Sequence, residues 1–171
     1  MPQNAAHVRP LRRGDLHRLA ELRLWYLAET ARLEPRLKLV ADARERLASA
    51  VTSWWGEEGR ITLVAEDPLG MVPAGEELPI VGYITGRVSV WPPVWKAQRV
   101  GEVVEAFVAP DRRDRGLGRT LLAHLVDALV ARGIDVLRAK APVKNDGSVG
   151  LLVASGFDPL FHQLERAGGA R

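Results

Sequence analysis

Apolar positions recur along the chain at two spacings, and these predict ten elements. His7 to Pro10 reads as a short opening strand. Gly14-Asp15 starts a helix, with Asp15 as N-cap and Leu16, Leu19, Ala20 and Leu27 on one face. Glu34-Pro35 starts a second helix, with Pro35 near its first position. Its apolar stripe is Leu37, Val40, Ala41, Leu47, Ala48 and Val51, and Trp54-Trp55-Gly56 ends it. Strands follow at Ile61 to Ala65, Ile80 to Val90 and Val100 to Val108. Asp67 to Pro79 carries three prolines and two glycines and reads as a loop. Two prolines interrupt the pattern between Trp91 and Trp95. After a turn at Pro110 to Arg115, Leu117 to Arg132 is the clearest helix, with Leu117, Leu121, Leu122, Leu125, Val126 and Leu129 on its apolar face and Gly133 as its stop. Ile134 to Ala141 is a strand, Asn145 to Ser155 a short helix closed by Gly156, and Phe157 to Leu164 a last strand. The order βααβββαβαβ predicts an α/β fold with a mixed sheet and helices on both faces.

The chain has 171 residues, which sets an expectation of one domain, residues 1–166, with a disordered tail at 167–171. Apolar residues make up 47% and charged residues 26%, the balance of a soluble globular protein. No apolar run reaches the length of a membrane span, and Met1 to Pro10 lacks the apolar core of a secretory signal. Cysteine is absent, which removes disulfides, thiolate metal sites and any cysteine nucleophile. The expectation is a cytoplasmic protein with no membrane partner. The histidines His7, His17, His124 and His162 fall in different elements at no metal-ligand spacing, so no metal is expected. The net charge is +3 with a pI of about 9.7. A high pI alone suggests nucleic acid. Here bases alternate with acids, and the densest basic cluster, Arg112, Arg113, Arg115 and Arg119, is local. That suits one small anion better than a duplex, so no nucleic-acid partner is expected.

The anion's place is the strand-turn-helix segment F-V-A-P-D-R-R-D-R-G-L-G-R-T-L-L from Phe107 to Leu122. Gly116 and Gly118 allow backbone to approach a ligand closely. The first turn of the following helix leaves N–H groups without intrahelical partners, and together with the helix dipole they attract an anion. The dinucleotide fingerprint fails because its third glycine position is Leu121. The P-loop fails because its first glycine position is Arg113. What remains is [QR]-x-x-G-x-[GA], carried by Arg113, Gly116 and Gly118. An ordinary glycine-rich turn with solvated arginines is the plain alternative.

At these residues the sequence resembles the GNAT superfamily, the GCN5-related N-acetyltransferases. V-R-P-L-R-R-G-D-L is similar to that family's first strand and helix start. I-T-L-V-A-E with I-V-G-Y-I-T-G is similar to its central hairpin, and N-D-G-S-V-G-L-L-V-A-S-G-F to its late helix. The resemblance is weakest from Trp25 to Arg60 and around Trp91 to Trp95. It implies the GNAT fold, with a largely antiparallel central sheet, and acetyl-CoA as cosubstrate. It implies that Arg113, Arg115, Gly116, Gly118, Arg119 and Thr120 form the pyrophosphate loop, mostly through backbone amides, and that the backbone of Val108 pairs with the pantetheine arm. Asn145 stands where the family often has an asparagine beside the pantetheine; a helix cap explains it equally well. A homodimer is common in similar proteins.

The implied reaction is transfer of the acetyl group to a primary amine of a small molecule or peptide, by direct attack within a ternary complex. Two glutamates on the strand before the loop call for an explanation, because a central strand is covered on both faces. Strand alternation puts Glu102 with Val104, Ala106 and Val108, and Glu105 opposite, with Val103 and Phe107. Glu102, eleven residues before Arg113, stands where some family members carry a catalytic glutamate. It is the favoured general base; an ion pair with a neighbouring arginine is the alternative. Glu105 is the fallback, because a bulge would change the parity. Many members carry a tyrosine seven residues after the helix asparagine to protonate the departing thiolate; here that position is Leu152. This motivates a second reading, a non-catalytic acyl-CoA-binding module on the same fold. Trp25 and Tyr26 are expected to end the first helix. With Trp54, Trp55, Trp91 and Trp95 they read as packing one by one, and as a set they suggest acceptor recognition or a dimer interface.

Overall fold

The computed structural model describes residues 7–67, 78–94, 96 and 99–160. The described elements are β1 (Val8–Pro10), α1 (Leu16–Leu33), α2 (Ala43–Trp54), β2 (Arg60–Glu66), β3 (Ile80–Val90), β4 (Arg99–Val108), α3 (Leu117–Val130), β5 (Val136–Ala139) and α4 (Asp146–Ala154). One sheet runs in the order β1-β2-β3-β4-β5. Its first four strands pair antiparallel, and β5 pairs parallel with β4. The mixed α/β architecture is the one the sequence pattern predicts.

Helices cover both faces. On one face α3 lays Leu121, Leu122, Leu125 and Leu129 against Ile61, Leu63, Ala65, Ile84 and Val103 of the sheet. Each buried leucine contributes about 1.5–3 kcal/mol. The helix lies close because the strands beneath it carry glycine. A Cβ on Gly86 would stand 2.9 Å from Leu125 Cδ1, and one on Gly101 would stand 2.8 Å from Leu137 Cδ2 and 3.0 Å from Leu129 Cδ1. On the other face Leu19 and Leu22 of α1 and Val51 of α2 pack against Val64, Ile80, Tyr83 and Phe107.

A β-bulge reverses the parity of β4. Thr85 pairs with Glu105 but Gly86 pairs with Val103, which leaves Val104 as the extra residue. Val103 therefore faces α3 while Phe107 faces α1. Unbroken alternation would put both on one face. Glu102 and Glu105 consequently share the α1 face, so the placement of the two glutamates on opposite faces is corrected.

Other expectations change too. Asp15 immediately precedes α1 but makes no side-chain cap bond to it. Its carboxylate instead takes the N–H of Arg12 at 2.7 Å and the buried guanidinium of Arg9, Nη1 at 2.7 Å and Nη2 at 3.1 Å. Arg9 also bonds Glu66, and His7 Nδ1 lies 2.7 Å from the other Glu66 oxygen. This network ties β1, β2 and the start of α1 together. Trp25 and Tyr26 lie within α1, which continues to Leu33. The second helix begins at Ala43 rather than at Pro35, and Leu37, Leu39 and Val40 are exposed in the connection before it. Phe157 to Leu160 form no strand. The rest of the expected last strand, the tail at 167–171, Trp95 and His162 lie outside the described residues. Among the described residues no helix is long and apolar enough to cross a membrane.

Candidate active site

β5 keeps company with β4 only briefly. Val100 to Val103 pair with Val136 to Ala139, and no pairing continues from Val104 onward. A cleft opens between the diverging strands. Val104, Glu105 and Ala106 line it from β4, Ala139, Lys140 and Ala141 from β5 and its continuation, and Asn145, Ser148, Leu151 and Leu152 from α4 and its start. Tyr26 of α1 closes another side. Ala109 N–H bonds Val81 O of β3 at 2.8 Å. Backbone groups alternate in direction along a strand. Val108 and Ala106 therefore turn their amide groups away from β3, toward the gap.

At the end of β4 the chain turns through Pro110 to Arg112 and reaches α3. Asp114 and Gly116 adopt left-handed conformations, with φ of 61° and 79°. Gly116 meets nothing within 4 Å where a Cβ would be, so its backbone angle, not crowding, calls for glycine. Gly118 is different: a Cβ there would stand 3.3 Å from Leu151 of α4. The first main-chain bond of α3 runs from Thr120 N–H to Gly116 O at 3.0 Å. The amides of Leu117, Gly118 and Arg119 precede it and point out of the helix start. Arg115 and Arg119 are exposed and make no ion pair among the described residues. The Thr120 hydroxyl donates back to Gly116 O at 3.2 Å.

Arg113 is turned the other way. Its Nε donates to Val108 O at 2.9 Å, and its Nη2 meets both carboxylate oxygens of Glu29 at 2.9 and 2.8 Å. The guanidinium also lies 5.2 Å from the Phe107 ring. Arg113 thus straps the loop to β4 and α1. Arg112 does similar work, donating to the buried Asp67 at 3.0 Å.

The two glutamates part company here. Glu102 pairs with Arg87 at 2.8 Å and does not line the cleft. Burial pushes its carboxyl up, but hydrogen bonds from Arg87 and Ser89 outweigh this and hold it below the usual range. Glu105 lines the cleft. Arg23 grips it with Nε–Oε2 at 2.9 Å and Nη2–Oε1 at 3.0 Å, and the Tyr83 hydroxyl donates to Oε2 at 3.1 Å. Arg23 itself lies 3.9 Å over the Trp54 ring. Asn145 caps α4, accepting the Ser148 N–H at 3.0 Å, while also lining the cleft. Leu152 lines it too. None of the described tryptophans does. Trp54 is held between Arg23 and Arg60, Trp91 faces Arg138, and Trp25 and Trp55 are exposed. Of that aromatic set, Tyr26 is the member among the described residues that lines the cleft. Burial, then the charge of Glu105, holds its phenol above the ordinary value, against smaller opposing effects of Thr30 and Arg23.

Comparison with known proteins bears on this geometry. Residues 20–157 match the model of the acetyltransferase (GNAT) family. A ribosomal protein bS18-alanine N-acetyltransferase of Salmonella typhimurium is 41% identical over 51 residues, 30% of this chain and 34% of that protein. The match thus spans about a third of the curated relative's length. A predicted acetyltransferase from Clostridium acetobutylicum, solved with acetyl-CoA, superposes with a TM-score of 0.73 at 18% identity, covering 95% of this chain and 96% of that one. An aminoglycoside antibiotic 6'-N-acetyltransferase from Acinetobacter haemolyticus superposes with a TM-score of 0.69 at 13% identity, covering 96% and 99%. At these identities the solved structures show likeness of fold.

Proposed function

This chain belongs to the acetyltransferase (GNAT) family, and we propose that it transfers an acetyl group from acetyl-CoA to a primary amine of a small molecule or peptide. The observation that carries the reading is the continuity of two features. Leu151 both lines the gap between β4 and β5 and lies against Gly118 at the start of α3, whose first amides have no intrahelical partner. An extended thioester with an anionic head fits that path. Its pyrophosphate lies against Gly116, Leu117, Gly118 and Arg119, with Arg115, Arg119 and Thr120 beside it. Its pantetheine arm lies along Ala106 and Val108, using the backbone groups of Ala106 and the Val108 N–H, since the Val108 carbonyl already accepts from Arg113, with Asn145 opposite. Arg113 contributes by holding the loop.

The chemistry is direct. The amine nitrogen adds to the thioester carbonyl, the C–N bond forms, and the C–S bond breaks as CoA leaves as a thiolate. Proximity supplies much of the rate. The amine's surplus proton leaves through water, and the cleft carboxylate best placed to receive it is Glu105. Glu102, the base favoured from sequence, stands outside the cleft in an ion pair. Arg23 and the Tyr83 hydroxyl fix the Glu105 carboxylate at the cleft wall, where it relays the proton. With leucine at 152, the phenol of Tyr26 supplies the thiolate's proton. A tyrosine phenol holds its proton at neutral pH, and the upward shift here leaves it so.

The test is titration calorimetry with acetyl-CoA, followed by release of CoA thiol over a panel of amines. Binding and amine-dependent thiol release are expected. Absence of binding at millimolar acetyl-CoA overturns the reading. Tight binding with no turnover of any amine favours the acyl-CoA-binding module, the alternative that Leu152 motivates.

A further inference from the structure

Behind the cleft, α1, α2 and β4 meet at one guanidinium. Arg23 of α1 bonds both oxygens of Glu105 on β4. A two-point bond fixes a guanidinium along its edge and leaves its flat face unsupported. Here the Trp54 ring of α2 lies 3.9 Å from that guanidinium, so the face is stacked as well. The ring is itself held. Arg60 of β2 lies 4.4 Å from its centroid and is anchored in turn by Glu57 at 2.6 Å. The Arg60 side chain is 9% exposed, and its Nη1 is buried with no hydrogen-bond acceptor among the described residues. Burying such a donor is costly, and the electron-rich indole face offsets that cost. One turn earlier on α2, Val51 packs in the same cluster as Tyr83, whose hydroxyl also donates to Glu105. α2 therefore backs both donors that hold the cleft carboxylate, while none of its described residues lines the cleft.

We propose that Trp54 is a positioning residue: through Arg23 it fixes the Glu105 carboxylate at the cleft wall, although it touches no reacting atom. The inference rests on the acetyltransferase reading, in which Glu105 relays the amine's proton. A relay works at hydrogen-bond range, and a shift of about 1 Å caused far from the chemistry costs about 10²-fold in rate. Without the ring, the Arg23 guanidinium can tilt toward the vacated space and draw Glu105 with it. The cofactor's own contacts lie elsewhere, along Ala106 and Val108 and at the start of α3, so its affinity does not depend on Trp54. This separates positioning from packing. A ring that only packs lowers stability and leaves the kcat of the folded enzyme alone.

The full chain is compared with Trp54→Leu, Trp54→Phe, Glu105→Gln and the double variant Trp54→Leu/Glu105→Gln, and circular dichroism shows whether each is folded. Thiol release at saturating acetyl-CoA and amine gives kcat, and urea unfolding gives the unfolding constant. Trp54→Leu should lower kcat about tenfold with KM for acetyl-CoA unchanged. Trp54→Phe keeps an aromatic face for Arg23 and should recover most of that loss. Once Glu105 is replaced by glutamine, Trp54→Leu should lower kcat no further. In urea the two substitutions should be non-additive, with the double variant destabilised about fivefold less in its unfolding constant than the product of the single effects. Wild-type kcat in folded Trp54→Leu, no recovery with phenylalanine, or losses that multiply with Glu105→Gln overturns the inference. If Trp54→Leu does not fold, Trp54→Met takes its place in every comparison. Acetyl-CoA binding to the wild type is measured separately by calorimetry, and its absence means that the acetyltransferase reading fails. The urea cycle needs no turnover, so it still decides whether Trp54 holds the pair: additive effects there overturn the inference whatever the cofactor does.

Discussion

Arg23 holds Glu105 by both carboxylate oxygens, at 2.9 and 3.0 Å, across 82 residues of sequence. The pair is largely buried, with side-chain exposures of 15% and 10%. Removing one partner leaves the other charged and enclosed. Glu105→Gln should therefore lower stability by roughly 3 kcal/mol as well as slow acetyl transfer. Arg23→Gln should cost a similar amount, and it should also loosen Trp54, on which Arg23 lies. Denaturant melts of both variants check this. Glu102→Gln breaks a more exposed pair and should cost about 0–1 kcal/mol, with little change in kcat.

Tyr26→Phe removes the cleft phenol and leaves the ring. The proposed role predicts a fall in kcat of about 10²-fold with little change in KM for acetyl-CoA. A purely packing role predicts unchanged kcat. Steady-state kinetics at saturating acetyl-CoA tell the two apart.

Gly116→Ala forces a side chain into the left-handed conformation at the start of α3. About 1–2 kcal/mol of stability should be lost. Because the neighbouring amides shift with it, affinity for CoA should fall more than stability alone explains. Calorimetry on the folded variant measures the difference.

The Arg9 network predicts a pH dependence of folding. Burial alone would push the carboxyls of Asp15 and Glu66 up. Hydrogen bonds from Arg9, aided by Arg12 N–H at Asp15 and His7 at Glu66, outweigh burial and hold both below their usual values. A lowered folded pKa gives stability that is complete above the unfolded values, about 3.9 and 4.3. It is lost as pH falls through the folded values. Urea unfolding should therefore show steady stability down to about pH 5 and a steep fall below about pH 4. Asp15→Asn should flatten that fall while costing roughly 3 kcal/mol at neutral pH.

Local pattern carried much of the fold. Ile80–Val90 is rich in β-branched residues between clear breaks, and its bounds match β3 at both ends. The α3 stripe was equally plain because five of its leucines are buried. The second helix misled because Leu37 and Val40 mimic a buried stripe although they are exposed. Its start lies after Asp42, a residue of the capping type that the apolar spacing overshadowed. The bulge at Val104 left no mark, since two adjacent valines suit either face of a strand. The candidate site shows the same division. The glycines and the helix start of the loop are local and were legible. The direction of Arg113 depends on Glu29, 84 residues away, and the placement of Glu105 depends on Arg23. Such contacts belong to the folded chain and have no local signature.

The short pairing of β5 has a last consequence. A strand whose hydrogen-bonding edge is left bare inside a sheet is a partner waiting to be completed. Along Ala106 and Val108 no described strand takes the neighbouring place. On the proposed reading an extended ligand with amides of its own finishes the ladder beside the Val108 carbonyl that Arg113 already holds, and the sheet gains a further member. Amide exchange at these two residues should slow on adding CoA, and the melting temperature should climb with CoA concentration as mass action requires.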